Sequence, residues 1–397
     1  MDVWESKPLG EIVALQRGFD LPTQHRAAGK VAVIGSNGIV GMHDTTPSGI
    51  PMPGLMVGRS GSVGKLTYWD KPYWPLNTSL YVKDFCGNDP KFLSHWLQLF
   101  PFKKYAEGVS VPTLNRNSVN DIPFPLPEIE DQRSITLALD TVATAIDTQT
   151  TLLATSQELK RATMRELFTR GLRGEVQKDS EIGPVPASWE VERLGDVSLL
   201  ERGRFLHRPR NEPRFYGGKT PFVQTGDVVR SGGRICNYSQ TLNDDGVAIS
   251  RVFPRGTILV TIAANIGYTG ILEMDCACPD SLVGITASDR ISATFLEQFL
   301  RSQQSEMDRK APIGTQKNIN IEFLRPWPIA LPSFEEQQEI TAILGSIDAK
   351  IDLHKRKKAV LEELFRALLH KLMTGEIRVA DLDLSALGNA SAESEGG

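Results

Sequence analysis

The stretch "LPSFEEQQEITAILGSIDAKID" at 331–352 indicates how the chain folds, because a near copy of it, "LPEIEDQRSITLALDTVATAID", lies at 126–147. The two stretches align without a gap at a constant offset of 205 residues. Earlier matches between the two halves pair Trp4-Glu5 with Trp189-Glu190, Leu9-Gly10 with Leu194-Gly195, and Arg17-Gly18 with Arg202-Gly203. A chain that matches itself in this way consists of one unit of about 190 residues that is present twice.

Apolar residues in both copies recur at alternating spacings of three and four residues, the pattern of a coiled-coil helix. In the second copy this seam consists of Ile340, Leu344, Ile347, Ile351, Leu361, Phe365, Leu368 and Leu372. In the first copy it consists of Ile135, Leu139, Val142, Ile146, Leu153 and Met164. Each stretch covers about 40 residues, or roughly 60 Å of helix. We therefore expect the copies to bury their seams against each other as an antiparallel coiled coil. Packing of each helix on its own globular domain is the alternative.

Start and stop signals bound the two helices. The stretches "LPEIEDQ" and "LPSFEEQ" place a proline before each helix and acidic residues in its first turn, whereas "TRGLRGE" and "KLMTGE" place glycines at the ends. The resulting division has a first globular domain at 1–127, a first helical spacer at 128–175, a connector with the second globular domain at 176–331, a second helical spacer at 332–378 and a flexible tail at 379–397.

The two globular segments differ from the helices in composition and in sequence pattern. They are rich in glycine, proline and asparagine, and contain short β-branched runs such as "KTPFVQTGDVV" (219–229) and "RGTILVTIA" (255–263). Such runs, broken by turn residues, predict short strands in a mixed α/β domain. The predicted fold class is α+β: two mixed α/β domains separated by two long helices that form an antiparallel coiled coil, with an internal pseudo-two-fold repeat.

Composition excludes several classes of protein. With 40% hydrophobic and 23% charged residues, the 397-residue chain has the composition of a soluble globular protein. The sequence shows no secretory signal and no apolar run of about 18 residues, so we expect a cytoplasmic protein without membrane spans. Four cysteines are too few for a disulfide scaffold, and Cys276 and Cys278 are expected to be buried small residues. The six histidines form no ligand pattern, so no metal site is predicted.

The stretch "GRSGSVGKL" at 58–66 resembles a phosphate-binding loop only superficially. The spacing of its glycines is wrong, and Leu66 stands where the loop needs a magnesium-binding hydroxyl. In the second half "GTILVTIAANIG" (256–267) aligns with 54–64, and there Tyr268 replaces Lys65. We therefore expect both stretches to form a strand, a turn and a second strand.

The order of these segments resembles the specificity subunit of type I restriction–modification systems. The resemblance runs from about Trp4 to Val379 and rests on the proline-to-glutamine helix starts and on a connector with Ile182, Gly183, Pro186 and Trp189. It implies two target-recognition domains that each read one half of a bipartite double-stranded DNA site. It also implies that the helices set the spacer between the half-sites, dock two methyltransferase (M) subunits and join a complex with restriction (R) subunits.

Candidate DNA-binding residues are those whose side chains suit phosphates or base edges, namely Lys, Arg, hydroxyl and amide groups. In the first domain they are Arg17, Arg26, Arg59, Ser60, Lys65, Thr113, Asn115 and Arg116. In the second domain they are Arg204, Arg208, Arg210, Arg214, Lys219, Thr315, Gln316 and Lys317. Instead of binding DNA, the arginine-rich stretch at 202–219 could form a salt-bridged loop. In the loops at 108–117 and 311–320 the asparagines could stabilise turns instead of contacting DNA.

Motifs for catalysis are missing from the sequence. An adenine methyltransferase of the partner type needs an [N/D]-P-P-[Y/F] segment, and this sequence contains no Pro-Pro pair. We therefore predict a non-catalytic chain with no cofactor of its own, whose partners use S-adenosylmethionine, and ATP with magnesium. Two other hypotheses stay open: one half of a self-contained restriction–methylation enzyme, or a scaffold in which the coiled coil alone carries the function.

Overall fold

A computed structural model of the chain describes residues 4–108, 110–312 and 317–382. The chain divides into two compact units. Unit 1 consists of Met1–Thr151 with Lys355–Gly397, and unit 2 consists of Leu152–His354. Each unit contains one mixed α/β domain together with part of each long helix.

Unit 1 contains short strands, three short helices and most of one long helix. Its strands are β1 (Glu5–Pro8), β2 (Ala14–Arg17), β3 (Val31–Gly35), β4 (Gly38–His43), β5 (Gly54–Gly58), β6 (Leu66–Trp69), β7 (Tyr73–Pro75), β8 (Ser79–Asp84), β9 (Ala106–Glu107), β10 (Thr113–Leu114) and β11 (Pro123–Leu126). Its short helices are α1 (Leu9–Ile12), α2 (Pro90–Trp96) and α3 (Asn117–Asn120), with 3-10 turns at Thr23–His25, Leu97–Leu99, Phe102–Tyr105 and Val379–Asp381. The long helix α4 (Ile129–Arg170) begins in unit 1 and ends in unit 2.

Unit 2 repeats this arrangement with additional elements. Its strands are β12 (Gln177–Lys178), β13 (Val185–Pro186), β14 (Glu190–Arg193), β15 (Ser198–Arg202), β16 (Tyr216–Phe222), β17 (Arg234–Ile235), β18 (Gln240–Leu242), β19 (Arg251–Phe253), β20 (Ile258–Thr261), β21 (Thr269–Leu272), β22 (Cys276–Cys278), β23 (Leu282–Ala287) and β24 (Pro328–Leu331). Its helices are α5 (Leu194–Val197), α6 (Thr225–Arg230), α7 (Asp244–Ala248), α8 (Ala293–Ser302), α9 (Gln304–Lys310) and α10 (Ile321–Leu324), with a 3-10 turn at Pro213–Phe215. The long helix α11 (Phe334–Met373) begins in unit 2 and ends in unit 1.

The sheets of the two units have matching strand orders. Unit 1 has a sheet β2-β8-β5-β6 and a smaller sheet β4-β3-β7. Unit 2 has the same orders, each extended by one strand, as β15-β23-β20-β21-β17 and β18-β16-β22-β19. In the smaller sheets β3 runs parallel to β7, and β16 runs parallel to β22. The antiparallel pairs β1–β11 and β14–β24 join the start of each domain to its end. The internal repeat predicted from the sequence is therefore confirmed in the fold.

The central strands of both larger sheets are fully buried. All five residues of β5 and all four of β20 are buried. Strands covered on both faces have continuous apolar runs rather than alternating ones, which explains the stretches "GLMVG" and "ILVT". These strands pack on α2 and α8 respectively, and so form the rigid base from which the functional loops project.

In unit 1 the two long helices pack on each other and on the domain at the same time. Ile135, Leu139 and Val142 of α4 share one hydrophobic cluster with Leu368 and Leu372 of α11. The same cluster contains core residues of the α/β domain, including Phe92 and Trp96. The apolar seam therefore packs on the other long helix and on the α/β domain at the same time, so both arrangements considered from the sequence occur in this unit.

In unit 2 the other ends of the helices pack together. Met164 and Phe168 of α4 lie in one cluster with Ile340 and Leu344 of α11. In both units, residues of one end of α4 thus meet residues of the opposite end of α11, which confirms the predicted antiparallel pairing. Of the predicted seam, Ile135, Leu139, Val142, Ile340, Leu344, Ile351 and Leu368 are buried, whereas Ile146, Leu153, Ile347, Leu361 and Phe365 are half-buried.

The glutamine repeated in both helix starts has a defined structural role. Gln132 is 1% exposed and its Nε2 donates to the carbonyl oxygen of Pro127 at 2.9 Å. Its Oε1 accepts from the backbone N–H of Asp89, the N-cap of α2, at 3.0 Å. Gln337 makes the same two bonds, to Pro332 at 3.0 Å and from Ser292, the N-cap of α8, at 2.8 Å. Each glutamine therefore fixes a long helix to its domain, which explains why proline and glutamine recur together.

The connector motif is held by a buried tryptophan. Trp189 is inaccessible to solvent, and its Nε1 donates to Oε2 of Glu336 at 3.0 Å. The other oxygen of Glu336 accepts from the backbone N–H of Leu172 at 2.8 Å. The end of α4, the connector and the start of α11 thus meet at one carboxylate.

The described part of the C-terminal segment is ordered against unit 1, contrary to the expectation of a flexible tail from 379 onward. Val379 begins a 3-10 turn, and both Val379 and Leu382 pack against the cluster of unit 1. Their apolar side chains explain this contact. Residues 383–397 lie outside the described part of the chain.

Candidate nucleic-acid interface

The turns after β5 and β20 are equivalent in the two domains. In unit 1 the N–H of Gly58 donates to the carbonyl of Lys65 at 2.8 Å, and the N–H of Gly64 donates back to Gly58 at 2.9 Å. In unit 2 Thr261 and Tyr268 are joined at 2.9 Å, and Gly267 donates to Thr261 at 2.9 Å. Both turns join antiparallel strands, β5 to β6 and β20 to β21. The stretch at 58–66 is therefore a strand connection, as the sequence predicted, and not a phosphate-binding loop before a helix.

A short extended segment covers each turn. In unit 1 Thr113 forms a β-bridge with Ser60, and Leu114 donates to the carbonyl of Arg59 at 2.8 Å. In unit 2 Asn318 forms the matching bridge with Ala263, and Ile319 donates to Ile262 at 2.9 Å. Two loops that are distant in sequence are thus brought together in the same way in both domains.

A third loop makes the same close contact with a glycine in both domains. A Cβ on Gly18 would lie 2.3 Å from the carbonyl oxygen of Leu76, and one on Gly203 would lie 2.2 Å from that of Pro279. Only glycine permits backbones to approach so closely. In unit 2 Arg202, which precedes this glycine, contacts Asp280, the next residue of the third loop. In unit 1 Arg17 and Asn77, at the same positions, both contact Asp20.

In unit 2 three arginines converge on Asp280. Nη2 of Arg208 donates to Oδ2 of Asp280 at 2.8 Å, and Nη2 of Arg210 donates to Oδ1. Nε of Arg202 donates to the backbone carbonyl of Asp280 at 2.8 Å. Residues from all three loops, including Ala263, line a cavity of about 310 Å³. The arginine-rich stretch therefore contains a salt-bridged loop that also lines a cavity, and its role as a DNA surface stays a prediction.

The remaining candidates of the arginine-rich stretch lie outside this cavity. Arg204 donates to the carbonyl of Ser250 at 3.1 Å, and the guanidinium of Arg214 lies 4.5 Å from the centre of the Phe215 ring. Lys219 is exposed. The phenylalanines of the stretch belong to the core, because Phe205 and Phe215 are only 2% and 6% exposed. They are thus not available to stack on bases.

In unit 1 the same three loops meet, and their junction, called the pocket of unit 1 below, contains fewer charges. Arg17 at the end of β2 contacts Oδ1 of Asp20 at 3.4 Å, and Nδ2 of Asn77 donates to the same oxygen. Among the described residues the half-buried Arg59 side chain has no hydrogen-bond or ion-pair partner, and Ser60 lies next to it at the turn. Arg17 ends β2 and Arg59 and Ser60 follow β5, and both strands pair with β8, so the three residues lie at the same end of one sheet.

Other candidates of unit 1 are occupied by structural contacts. Arg26 donates to the carbonyls of Leu21 and Val40, and Lys65 binds the carbonyl and side chain of Asn37 at 2.8 and 2.7 Å. Oδ1 of Asn115 accepts from the backbone of Asn117 at 3.1 Å, Oγ1 of Thr113 donates to Val111 at 3.2 Å, and Arg116 reaches the carbonyl of Leu15 at 3.5 Å. For Asn115 this is the turn-stabilising contact that the sequence left open.

The loop at 311–320 is described only in part. Thr315 and Gln316 lie outside the described residues. Nζ of Lys317 pairs with Oδ2 of Asp308 at 2.9 Å, at the end of the loop next to Asn318.

Sequence reasoning missed three residues that organise the two pockets. They are Asp20, Asn77 and Asp280. Arg202 belongs to the arginine-rich stretch that the sequence singled out, and it is the counterpart of Arg17 in the internal repeat. Nothing in the sequence indicated Asp280, because its ion-pair partner Arg208 is 72 residues away along the chain.

Metal binding and membrane insertion receive no support from the described part of the chain. Within residues 4–108, 110–312 and 317–382 no group of three His, Cys, Asp or Glu side chains could hold a metal ion. Across the same residues no helix is long and apolar enough to cross a membrane. Cys276 and Cys278 are buried, as expected, with their Sγ atoms 3.5 Å apart.

Similar proteins and structures agree on one family. The chain is 25% identical over 302 residues to a putative type I restriction enzyme specificity subunit, MjaX, of Methanocaldococcus jannaschii, covering 73% of this chain and 69% of the relative. It is 28% identical over 296 residues to the MjaVIII specificity subunit of the same organism, covering 71% and 68%. The crystal structure of a type I restriction–modification S subunit from M. genitalium superimposes with a TM-score of 0.62 at 16% identity, covering 94% of this chain and 96% of that one.

A family profile described as "Type I restriction modification DNA specificity domain" matches residues 1–157 and 186–363. The two matched ranges follow the internal repeat, since each contains one α/β domain and a large part of one long helix. Because the match covers well over half of the sequence, the chain belongs to the family of type I restriction modification DNA specificity domains.

Proposed function

We propose that each α/β domain of this chain reads one half of a bipartite DNA site. As a member of its family, the chain is a DNA-recognition subunit of a restriction–modification complex and leaves catalysis to partner subunits. The observation that carries the proposal is the duplicated arrangement of loops. The same three loops meet in both domains, but the side chains that they present differ, with Asn77 and Ser60 in one pocket and Asp280 and Ala263 in the other. One scaffold with two sets of side chains fits two different half-sites.

The DNA-binding residues of this proposal are those that face or flank the pockets. In unit 1 they are Arg17, Arg59, Ser60 and Asn77, and in unit 2 they are Arg202, Arg208, Arg210 and Asp280. Cations outside the pockets, such as Lys219, suit phosphates of the flanking backbone, because such contacts position a protein on DNA without reading its sequence.

The long helices are proposed to set the spacer and to dock two methyltransferase subunits. Large apolar side chains lie exposed on them: Leu137 is 70% exposed, Leu159 is 54% exposed and Val360 is 64% exposed. In unit 2 a cavity of about 680 Å³ is lined by Met164 and Phe168 of α4 and by Phe299 of α8. Exposed apolar side chains and apolar cavities suit contacts with another protein.

The proposal also includes the partners and the domain limits. DNA together with methyltransferase and restriction subunits fits the family, and these subunits would use S-adenosylmethionine, and ATP with magnesium, respectively. A cytoplasmic location follows from DNA being the ligand. The recognition domains are taken as 1–127 and 176–331, and the helical spacers as 128–175 and 332–378.

The test is to co-express the chain with the methyltransferase encoded next to it and to map methylated bases across the genome of the host. Methylation at a split motif with a fixed gap, lost when this chain is omitted, is the expected result. A stable complex that methylates no motif, or a contiguous motif, would refute the proposal.

The spacer role has its own test. Inserting one helical turn of four residues in the exposed central part of α4, after Thr151, should change the gap between the half-sites and leave both half-sites unaltered, because a turn adds about 6 Å along the helix. A change in a half-site sequence would contradict the role of the helices as a spacer.

A further inference from the structure

The carboxylate of Asp280 is held in an unusual way for a surface residue. Each of its oxygens accepts from a different arginine, Arg208 and Arg210, while Arg202 holds its backbone carbonyl. Its side chain is nevertheless 31% exposed. A carboxylate oxygen has two lone pairs, so one arginine on each oxygen leaves acceptor capacity directed toward solvent.

The charges around Asp280 remove the main obstacle to placing an acid next to DNA. A lone carboxylate would be repelled by phosphates, but here two guanidinium groups pair with the carboxylate and a third binds the backbone carbonyl of the same residue. The pocket is therefore cationic as a whole while it still presents an acceptor-only group. Fixing both oxygens also sets the direction of the free lone pairs, which geometric recognition of a base edge requires.

The equivalent position in unit 1 has a different chemistry. Asn77 occupies the place of Asp280, since Asn77 follows the carbonyl that packs on Gly18 and Asp280 follows the one that packs on Gly203. Asn77 donates its amide to Asp20 and thereby presents its own oxygen from a neutral side chain. The same point of the scaffold therefore carries an amide in one domain and an ion-paired carboxylate in the other.

From this geometry we propose that Asp280 is a base-reading residue of the second domain. Its free lone pairs accept from the exocyclic amino group of a cytosine or an adenine in the major groove, and Arg208 and Arg210 are positioning residues that orient the carboxylate. Amino groups are the hydrogen-bond donors that base pairs present in that groove, and a carboxylate is the side chain that only accepts. This inference rests on the proposed function, in which the second domain reads one half-site.

The decisive variant is Asp280→Asn, compared with Glu273→Gln as a matched control. Glu273 also bridges two arginines, Arg234 and Arg255, in the same domain, but it lies outside the cavity. Each variant is co-expressed with the methyltransferase, and methylated bases are mapped as for the native chain. Asp280→Asn should relax one position of one half-site by about tenfold in preference, the size of one base contact. The other half-site and the gap should stay the same, and Glu273→Gln should keep the native motif.

A second variant covers the case in which Asp280→Asn does not fold. Asp280→Glu keeps the charge and the ion pairs but moves the carboxylate by about one bond length, so it should weaken the same position of the same half-site while the melting temperature stays native. A native motif with Asp280→Asn or with Asp280→Glu, in a complex that methylates normally, would overturn the inference. Uniformly tighter binding to all duplexes with an unchanged motif would also overturn it, because Asp280 would then be only a counter-charge.

Failure of the inference is distinct from failure of the proposed function. If the native chain directs methylation to a split motif and the Asp280 variants do not change it, only the base-reading role is lost. If the native chain directs methylation to no split motif, the proposed function itself fails, and the base-reading role fails with it.

Discussion

The two recognition domains share a scaffold but differ in what is inserted into it. In unit 1 the strands β3 and β4 are joined by a two-residue turn, Ser36 and Asn37. In unit 2 the equivalent strands β16 and β18 are joined by 223–239, which contains α6 and β17. The additional strand β17 extends the larger sheet by pairing with β21. The sheets therefore accept large insertions at their edges while the loops around the pocket keep their geometry.

The two helix–domain junctions differ as well. Trp189 and Trp4 are counterparts in the sequence repeat, but Trp189 is inaccessible to solvent whereas Trp4 is half-buried. Both rings lie near the glycine after a long helix, Trp189 with a ring atom 3.0 Å from a Cβ placed on Gly171 and Trp4 with one 3.7 Å from a Cβ placed on Gly375. Trp189 is in addition fixed by its hydrogen bond to Glu336. Equivalent residues thus contribute unequally to the two units.

The largest effect is expected for the two tryptophans. Trp189→Ala should destabilise unit 2 by about 3–5 kcal/mol, since it removes a fully buried ring and leaves the carboxylate of Glu336 without one of its donors. Trp4→Ala should cost clearly less, because its ring is already partly solvated. Unfolding of both variants in urea, followed by circular dichroism, measures the difference. Equal losses would show that the two junctions are energetically the same.

A smaller and more local effect is expected at the close-packed glycines. Gly203→Ala should cost about 1–3 kcal/mol and disrupt recognition of one half-site, because the added methyl group would collide with the carbonyl of Pro279. Gly18→Ala should do the same for the other half-site. Gly345→Ala is the control, since nothing lies within 4 Å of its added Cβ. Methylation maps that lose the same half-site with both variants would contradict a separate reader in each domain.

Replacing a free arginine of unit 1 should change the salt dependence of DNA affinity, whereas replacing an arginine with intramolecular partners should not. Arg59→Ala should lower the dependence of DNA affinity on salt by about one phosphate contact, because its guanidinium has no partner among the described residues. Arg26→Ala should leave that dependence unchanged and lower stability instead, since it loses bonds to two backbone carbonyls. Titrations of duplex DNA at several salt concentrations decide this. A larger change in salt dependence for Arg26→Ala than for Arg59→Ala would show that Arg26, and not Arg59, contacts DNA.

The smallest effect concerns pH. His95 on α2 lies against the ring of Phe365, and neither ring nitrogen has a partner among the described residues. Burial lowers the pKa of His95 below 6.5, opposed by Asp140 and Asp89 and reinforced by Lys91. The unfolded chain therefore takes up a proton that the folded chain lacks, so stability falls as pH drops below about 6.5.

The counterpart of His95 in unit 2 is Gln298, which does not titrate, so His95→Gln should remove this part of the acid sensitivity. Thermal unfolding of both proteins at pH 7.5 and 5.5 measures it. An unchanged loss of stability in the variant would assign the sensitivity to other groups.

Helical periodicity made the helices predictable from the sequence, because a stripe of Leu, Ile and Val must be buried wherever it is placed. The internal match at 126–147 and 331–352 likewise predicted the repeat, and the glycine at 171 lies in the left-handed conformation expected after a helix, with φ of 62°. The extent of contact between the helices and the domains was not predictable. It depends on how α2 and α8 present their apolar faces to the helices.

The pockets were predictable only in part. Arg17, Arg59, Ser60, Arg208 and Arg210 were identified from residue type, and the fold places them at the two pockets. Arg26, Lys65 and Asn115 were identified by the same reasoning, but their donors and acceptors are occupied within the domain. Residue type indicates what a side chain can bind, whereas its neighbours decide whether it is available.

The duplication, the antiparallel long helices and the rejection of a phosphate-binding loop could all be inferred before folding, because each depends on spacing along the chain. Which charges meet depends on the folded arrangement. The carboxylate of Asp280 lies 72 and 70 residues from the arginines that it binds, and the contact exists because Gly203 lets two backbones approach. Electrostatic interactions depend on distance in space, and the distance in sequence between these groups carries no information about it.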